Sequence, residues 1–365
     1  MKKSICLILL TVLIASSCSK EPKIVAAEAG YEYSMLLTDA GSLWLVGDNS
    51  SNKKQRLEPL LVEAEGVSSV SAGSRHCLFI KNDGSLWGFG DNRSHQLGVE
   101  GEWFKEPVKI IDGGVLQVSA GDLHSVFIKD DGSLWGMGYN LGGGLGPSES
   151  TEVNTPMQIV ESGVSYVCAG WANTMYVMED GSLWGMGWSL NGELGFQQSD
   201  FKSHVVKIYE YGVASVSIGY RHTLIVGKDT SLWAMGANVF GTLGDGTRVN
   251  KFTPVKIMDS GVASASAGYG HSLILKKDGT VWGMGYNKGG QIGAGDSNMN
   301  MELEPVHVSS HAAAVSTWYW HTLILDKYGN LWGSGSNDYG ELGDGTTEGK
   351  MIFTLIPIAF DGENL

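Results

Sequence analysis

A tryptophan-containing string recurs seven times along the chain at nearly constant spacing. At residues 131–138 the string reads Asp-Gly-Ser-Leu-Trp-Gly-Met-Gly. Successive tryptophans lie 43, 48, 49, 49, 49 and 50 residues apart, at Trp44, Trp87, Trp135, Trp184, Trp233, Trp282 and Trp332. A fixed period of about 20 to 50 residues indicates a solenoid, a propeller or another repeat array. The fold is therefore predicted to repeat one small structural unit.

Each unit contains short apolar stretches that are typical of β-strands. They are rich in Val, Ile, Leu and Trp, and in four of the seven units an Asp-Gly pair, which is a strong hairpin signal, separates two of them. Four strands in each of seven units predict an all-β, seven-bladed propeller of four-stranded blades. The units are expected at residues 24–64, 67–112, 115–161, 164–210, 213–259, 262–308 and 313–360. The sequence leaves open how the ring closes.

The repeated pattern resembles the repeat of the regulator of chromosome condensation family. Val-x-x-Val-Ser-Ala-Gly begins at Val67 and Val115, His-Ser-Leu-Ile-Leu begins at His271, and Asn-x-x-Gly-x-Leu-Gly begins at Asn238. The resemblance covers residues 24–360 and implies a seven-bladed propeller, in agreement with the count of units. It implies less about function, because one fold supports many functions. A secreted propeller with this repeat that inhibits β-lactamases through an aromatic-rich face is similar in repeat number and aromatic placement.

Two recurring features are interpreted as structural. Gly136 and Gly138 lack the third glycine and the following helix of a dinucleotide site, and their string recurs in every unit, so no cofactor is predicted. Instead, the glycines are expected to permit tight packing near the shared axis. A histidine recurs at one repeat position and is expected to bond the backbone of the next blade rather than a metal: His76, His124, His222, His271 and His321. Tyr33 and Asn173 hold this position in the other two units.

The first 17 residues are predicted to be a lipoprotein signal peptide. Lys2 and Lys3 precede an apolar run over residues 5–15, which is shorter than the roughly 20 residues of a membrane-spanning helix. Ala15-Ser16-Ser17 then lead to Cys18, the expected site of lipidation, here with a palmitate-type anchor. Residues 18–23 form a short tether, so we expect an envelope protein on the outer membrane or cell surface. Simple secretion with cleavage nearby is the alternative.

The charge of the chain argues against a nucleic-acid-binding protein, and its cysteines argue against a disulfide-bonded one. The formal net charge of −14 opposes binding to nucleic acid, whose partners usually carry basic patches. Cys77 and Cys168 lie in units that are not neighbours, so we expect two small buried apolar residues rather than a disulfide. No nucleophile-elbow, HExxH or P-loop string is present, and the Asp-Gly-Thr strings at Asp245 and Asp344 are interpreted as turns.

Variable residues are expected to collect on one end of the propeller, which we call the top. It carries the turn between Ala-Gly and His and the residue just before the Asn position, together with the long segments 100–106 and 147–154. Units 4 to 7 place mainly aromatic side chains there, and units 1 to 3 place acidic ones. The candidate binding residues are Tyr31, Glu32, Asp48, Asp91, Asp122, Tyr139, Trp171, Trp188, Tyr220, Arg221, Tyr269, Tyr286, Tyr319 and Trp320.

These residue types favour a non-catalytic, monomeric binding protein. Tyr, Trp and Arg are enriched at protein hot spots, and the acidic residues favour a protein partner with a basic patch, with a glycan as the other ligand class. Three alternatives remain. The aromatics could only plug the channel, Asp48 and Asp91 could serve a glycan-hydrolysing enzyme as an acid/base pair, or the family resemblance could extend to guanine-nucleotide exchange.

Overall fold

The structure, a computed structural model, describes residues 22–50, 55–140, 142–147, 150–196, 205–295 and 300–360. These residues form 28 β-strands and no helix, and every four consecutive strands form one antiparallel sheet. Seven sheets of four strands confirm the propeller and its blade count.

The first four blades follow one another along the chain. Their strands are β1 (Ile24–Ala29), β2 (Tyr33–Thr38), β3 (Leu43–Gly47), β4 (Leu60–Glu63), β5 (Val67–Ala72), β6 (His76–Lys81), β7 (Leu86–Asp91), β8 (Trp103–Ile111), β9 (Val115–Ala120), β10 (His124–Lys129), β11 (Leu134–Tyr139), β12 (Glu152–Val160), β13 (Val164–Ala169), β14 (Asn173–Met178), β15 (Leu183–Gly187) and β16 (Val206–Tyr209).

The last three blades complete the ring. Their strands are β17 (Val213–Ile218), β18 (His222–Gly227), β19 (Leu232–Gly236), β20 (Lys251–Met258), β21 (Val262–Ala267), β22 (His271–Lys276), β23 (Val281–Tyr286), β24 (Met301–Ser309), β25 (Ala312–Thr317), β26 (His321–Asp326), β27 (Leu331–Gly335) and β28 (Lys350–Ile356).

The ring closes by side-to-side packing, without exchange of a strand. Blade 1 is built from β1–β4 and blade 7 from β25–β28, each within its own stretch of sequence. At the closure, the Ala29 N–H donates to Ser316 Oγ at 3.0 Å, and Ser34 Oγ lies 2.9 Å from His321 Nε2. The first strand of each blade lies innermost, in contact with the first strands of its neighbours.

The strand directions place the variable turns on one end, as expected. Residues 30–32 join β1 to β2, and residues 92–102 join β7 to β8, both at the top. The two long segments are shorter as loops than the sequence indicated. Trp103 pairs with Asp91 and Glu152 pairs with Tyr139, because β8 and β12 begin inside these segments. Residues 148 and 149 lie outside the described residues.

The Asp-Gly-Ser-Leu-Trp string forms a hydrogen-bonded hairpin at the bottom. The Ser133 N–H donates to Asp131 Oδ1 at 2.9 Å, and the Trp135 indole donates to Ser133 Oγ at 2.8 Å. Lys129 Nζ lies 4.4 Å from the centre of a Trp135 ring. The repeat tryptophans are therefore fixed by polar contacts as well as packing, and all except Trp44 are half-buried rather than core residues.

The paired glycines of the string are confirmed as structural, although not for the expected reason. Gly138 has a φ of +110°, and a Cβ there would lie 2.6 Å from the Leu123 carbonyl oxygen. A Cβ at Gly136 would lie 2.5 Å from Leu145 Cδ2. Both glycines are in β11, the third strand of its blade, whereas β9 lies nearest the axis. Gly138 is required by its left-handed backbone and by the close approach of the chain at the start of β10. Gly136 is required by the close approach of the loop that carries Leu145. Crowding at the axis does not require either glycine.

Five buried histidines bridge neighbouring blades. The Nε2 atom of each lies 2.8 to 3.0 Å from a hydroxyl of the next blade, as in His76 with Ser125. In four of the five bridges the hydroxyl donates back to a carbonyl oxygen of the histidine's own blade, as Ser125 does to Gln96 at 2.7 Å. In these four bridges the single hydroxyl proton is used, so the histidine Nε2 must carry a proton and donate it. The predicted inter-blade bond is correct, but its partner is a side chain rather than the backbone.

The junction between blades 1 and 2 departs from this pattern on both sides. Tyr33 replaces the histidine, and Cys77 replaces the hydroxyl residue that would receive its bond. The Tyr33 phenol reaches past Cys77 and donates to the carbonyl oxygens of Gly73 at 3.0 Å and His76 at 2.7 Å. Both cysteines are free, and burial raises the pKa of the Cys77 thiol. Cys77 is buried as predicted, whereas Cys168 is half-buried.

Candidate functional site

One repeat position brings seven side chains together on the propeller axis. It is the residue that follows Ala-Gly in most units, and each blade contributes one such residue to the rim of the central channel. These residues line a cavity of about 260 Å³ and are Tyr31, Ser74, Asp122, Trp171, Tyr220, Tyr269 and Tyr319. We call this cavity the axial cup.

Five of the seven side chains form a continuous aromatic wall. Ring centres are 4.9 Å apart between Trp171 and Tyr220, 4.4 Å between Tyr220 and Tyr269, 4.6 Å between Tyr269 and Tyr319, and 4.2 Å between Tyr319 and Tyr31. Aromatic pairs at such separations contribute roughly 0.5–1.5 kcal/mol each beyond the area that they bury. The wall is therefore a rigid surface. Burial within it raises the pKa of Tyr269 and the pKa of Tyr319.

Further rings extend this wall outward over blades 4 to 7. Trp188 packs edge-on against Trp171 at 5.2 Å, and Trp320 lies 4.8 Å from Tyr269 and 5.7 Å from Tyr286. The wall and these outer rings together make one connected set, here called the aromatic arc: Tyr31, Trp171, Trp188, Tyr220, Phe240, Tyr269, Tyr286, Tyr319 and Trp320. The sequence predicted eight of these nine residues.

Phe240 was missed because it lies inside the Asn-x-x-Gly segment, where no variable position was considered. Its ring centre is 5.2 Å from that of Tyr286. Together with Val239 and Arg221 it lines a second cavity of about 200 Å³, which the Tyr220 and Tyr269 rings separate from the axial cup. Val239 is 49% exposed.

Trp318 forms part of the axial cup and was also missed. It occupies the place at which the other six units carry glycine. Its indole N–H donates to Ser74 Oγ at 3.3 Å, which joins blade 7 to blade 2 across the channel mouth. The departure from an otherwise uniform glycine was the signal that sequence inspection could have used.

The acidic side of the top carries less free charge than its sequence indicated. Asp48 and Asp91 are buried, at 5% and 4% exposure. Asp48 accepts hydrogen bonds from the Ser50 N–H at 2.8 Å and the Ser50 hydroxyl at 2.6 Å. Burial opposes ionisation of Asp91, but hydrogen bonds from Arg93 outweigh it and lower the pKa of that carboxyl. Both carboxylates are thus engaged in holding their own loops.

The remaining charges at the rim are partly paired. Glu32 Oε2 lies 3.8 Å from Arg75 Nη2, and the Arg75 guanidinium carbon lies 5.3 Å from the Tyr31 ring centre. Arg221 is exposed and stacks at 4.8 Å from the Tyr220 ring centre. Guanidinium groups at these distances are attracted to the electron-rich ring faces. The aromatic rings of the top therefore already attract cations.

Asp122 differs from the other carboxylates of the top because it lines the axial cup. Burial raises its pKa, against hydrogen bonds from the Ser74 hydroxyl and the Trp171 indole and the more distant charge of Arg75. Within the described part of the chain, no lysine or arginine forms an ion pair with it. The cup thus holds one carboxylate that neutral donors stabilise.

Two predicted residues lie apart from this site. Tyr139 ends β11, is half-buried, and lines neither the axial cup nor the second cavity. Cys18 lies outside the described residues. Across the described ranges, no group of three or more His, Cys, Asp or Glu side chains could hold a metal ion, and no helix could span a membrane. Asp245 and Asp344 form turns, closed by Lys251 and Lys350 at 2.9 Å each.

Comparisons with known proteins agree with this architecture. A family profile described as regulator of chromosome condensation (RCC1) repeat matches residues 67–96, 115–143 and 262–291, and a second profile of the same description matches 83–128 and 229–275. No curated protein matches significantly in sequence.

Solved structures with low sequence identity share the fold. Human WBSCR16 aligns at a TM-score of 0.74 and 23% identity, over 83% of this chain and 85% of that one. Yeast RCC1 (Prp20) bound to Kap60 aligns at 0.78 and 18%, over 98% and 90%. Prp20p from Saccharomyces cerevisiae aligns at 0.76 and 18%, over 92% and 87%. The chain therefore carries regulator of chromosome condensation (RCC1) repeats, folded into a seven-bladed propeller.

Proposed function

We propose that this protein is a membrane-anchored, extracytoplasmic binding protein that holds a protein partner against the top of its propeller, without catalysis. The observation that carries the proposal is the aromatic arc. The repeat does not require its members, because Ser74, Asp122 and Ala237 occupy equivalent positions in other units. Nine connected aromatic rings at one end of the propeller, at positions that the repeat leaves variable, favour a binding surface there.

The composition and exposure of the arc support protein binding. Its rings are half-buried, so they present edges and faces to solvent while their neighbours fix their orientation. Leu190 and Val239 beside them are 45% and 49% exposed, and Arg221 adds an exposed guanidinium. Rigid aromatic side chains with adjacent arginine are the residues that most often dominate binding energy in protein interfaces.

Structurally similar propellers bind proteins. Yeast RCC1 (Prp20) has been crystallised with Kap60, and the S. cerevisiae protein has been described as binding Gsp1p and histones. This favours a protein partner over a glycan for the present chain. Because Asp48, Asp91 and Glu32 are occupied within the propeller, we expect aromatic contacts to supply most of the affinity, with a smaller role for a basic patch on the partner.

The position of the first described residues supports the orientation of the anchor. The Lys23 N–H donates to Asp39 Oδ1 at 3.0 Å, and the Asp39 N–H donates to the Lys23 carbonyl at 2.8 Å. Asp39 lies in the turn between β2 and β3, at the bottom. A lipid on Cys18, a few residues earlier, would hold the bottom near the membrane and direct the aromatic arc outward.

Affinity capture tests the binding face. The propeller is immobilised and exposed to solubilised native envelope, and the captured partner is then measured against single variants. Trp320→Ala should weaken binding by about 2 kcal/mol or more, roughly 30-fold, if it is a hot spot. Tyr211→Ala is the matched control, since Tyr211 is 78% exposed in a bottom turn. Equal affinity of the parent and Trp320→Ala, with weaker binding by Tyr211→Ala, would place the binding face elsewhere.

A further inference from the structure

We propose that the axial cup receives the end of one basic side chain, a lysine or arginine, from the protein partner. The inference rests on the proposed function of the top face and specifies what the partner must present at its centre. It concerns the cup alone, whereas the aromatic arc extends well beyond it.

The dimensions of the cup suit a single side chain. Its volume of about 260 Å³ corresponds to several water molecules at roughly 30 Å³ each. Trp318 reaches across the channel to Ser74 and narrows it below the opening. A folded element of a partner would not fit, whereas one long side chain inserted along the axis would.

The charge of the cup selects a cation. Asp122 is the one acidic residue among the cup-lining side chains, and none of them is basic. The raised pKa of its carboxyl reflects the cost of holding a negative charge in this setting. A cation beside Asp122 would remove that cost. The nearest arginines have other partners, since Arg75 pairs with Glu32 and Arg221 stacks on Tyr220.

The aromatic wall suits the remainder of such a side chain. Lysine and arginine carry an apolar stem that packs along aromatic surfaces while the charged head reaches a polar partner. The wall from Trp171 to Tyr31 surrounds the cup on five of seven blades, and Asp122 and Ser74 occupy the other two. An inserted stem would therefore contact rings on most sides, with its head toward Asp122.

Two small probes of equal shape test the cation requirement. Butylammonium has a charged head group and 1-butanol a neutral one on the same four-carbon chain. Their binding to the intact protein is followed by tryptophan fluorescence, since Trp171 and Trp318 line the cup. We expect butylammonium to bind about ten-fold more tightly or better, and Asp122→Asn to abolish the difference. The comparison of probes on the parent protein needs no variant. Equal affinities for the two probes would overturn the proposal, as would binding of glucose in preference to butylammonium.

Capture of the partner separates this inference from the proposed function. Asp122→Asn should weaken capture. Asp112→Asn, the same substitution at a carboxylate that is 100% exposed in a bottom turn, should not. If Trp320→Ala weakens capture while Asp122→Asn binds as the parent does, the top face is confirmed and the basic side chain is refuted. If neither Trp320→Ala nor Asp122→Asn changes capture, the proposed function itself fails.

Discussion

The buried histidines are expected to make the propeller unstable in mild acid. Burial lowers the pKa of His124 and His222 to about 4, and that of His76, His271 and His321 to about 3. An unfolded chain titrates near the ordinary value of about 6.5. Between these values the unfolded chain binds protons that the folded protein does not. The stabilisation is therefore complete above about pH 6.5 and is lost as the pH falls toward the folded pKa.

The size of this effect is comparable with the whole stability of a domain. At about pH 5 each histidine lowers the free energy of unfolding by about 2 kcal/mol relative to neutral pH, and the five together lower it by about 10 kcal/mol. Glu28 acts in the opposite direction, because burial raises its pKa to about 7 against a hydrogen bond from Ser316, and its protonation returns about 2 kcal/mol of stability at the same pH. The net loss from these six groups, about 8 kcal/mol, falls within the total of roughly 5–15 kcal/mol typical of native proteins.

One substitution isolates a single histidine. His124→Asn introduces the residue that blade 4 carries at the same position, Asn173. Removing one titrating group should reduce the loss of unfolding free energy between about pH 7.5 and about pH 5 by about 2 kcal/mol. His307→Asn is the matched control, since His307 is exposed on an outer strand. Denaturant midpoints and slopes followed by tryptophan fluorescence at each pH give the free energies. A stability that does not change between these pH values, or an unchanged pH dependence in His124→Asn, would refute the reasoning.

Three further experiments test the packing and the anchor. Tyr33→His and Cys77→Ser should each destabilise the protein, yet the double variant should recover about 1 kcal/mol or more by restoring the histidine–hydroxyl bridge; additive losses in denaturant unfolding would contradict this. Gly138→Ala should lower the free energy of unfolding by several times the roughly 1 kcal/mol expected for the control Gly66→Ala. Both glycines have positive φ, but only Gly138 is crowded by neighbouring atoms. Equal melting temperatures of the two variants would refute the argument. Cys18→Ala should release the protein from the membrane fraction, and unchanged fractionation would exclude the anchor.

The repeat made the fold predictable because its signals are local. Asp131-Gly132 closes a hairpin through bonds within three residues, and the same bond from the Ser or Thr N–H to the aspartate recurs in blades 2 to 6. Strand count, blade count and the end of the propeller that collects variable residues all follow from such strings. The contact of Trp135 with Lys129 did not follow from the string, because the lysine belongs to the neighbouring strand.

The site was predictable in its aromatic half and less so in its acidic half. Aromatic residues at one repeat position must converge on the axis, since each blade repeats the same turn. Whether a carboxylate is free depends on its neighbours in space and on its burial. Asp91 is buried against Arg93, and Asp122 instead lines the cup. The departure of Trp318 from glycine is visible in the sequence, but nothing in the local string indicates that its indole would cross the channel to Ser74.

Site-specific photocrosslinking in intact cells tests the central claim, that the top of the propeller holds a protein partner. A photoreactive amino acid replaces Val239, which is 49% exposed at the top, or Tyr211, which is 78% exposed at the bottom. The account predicts a discrete crosslinked protein from position 239 and none from position 211. A discrete product from position 211 alone, or the same product from both positions, would contradict it.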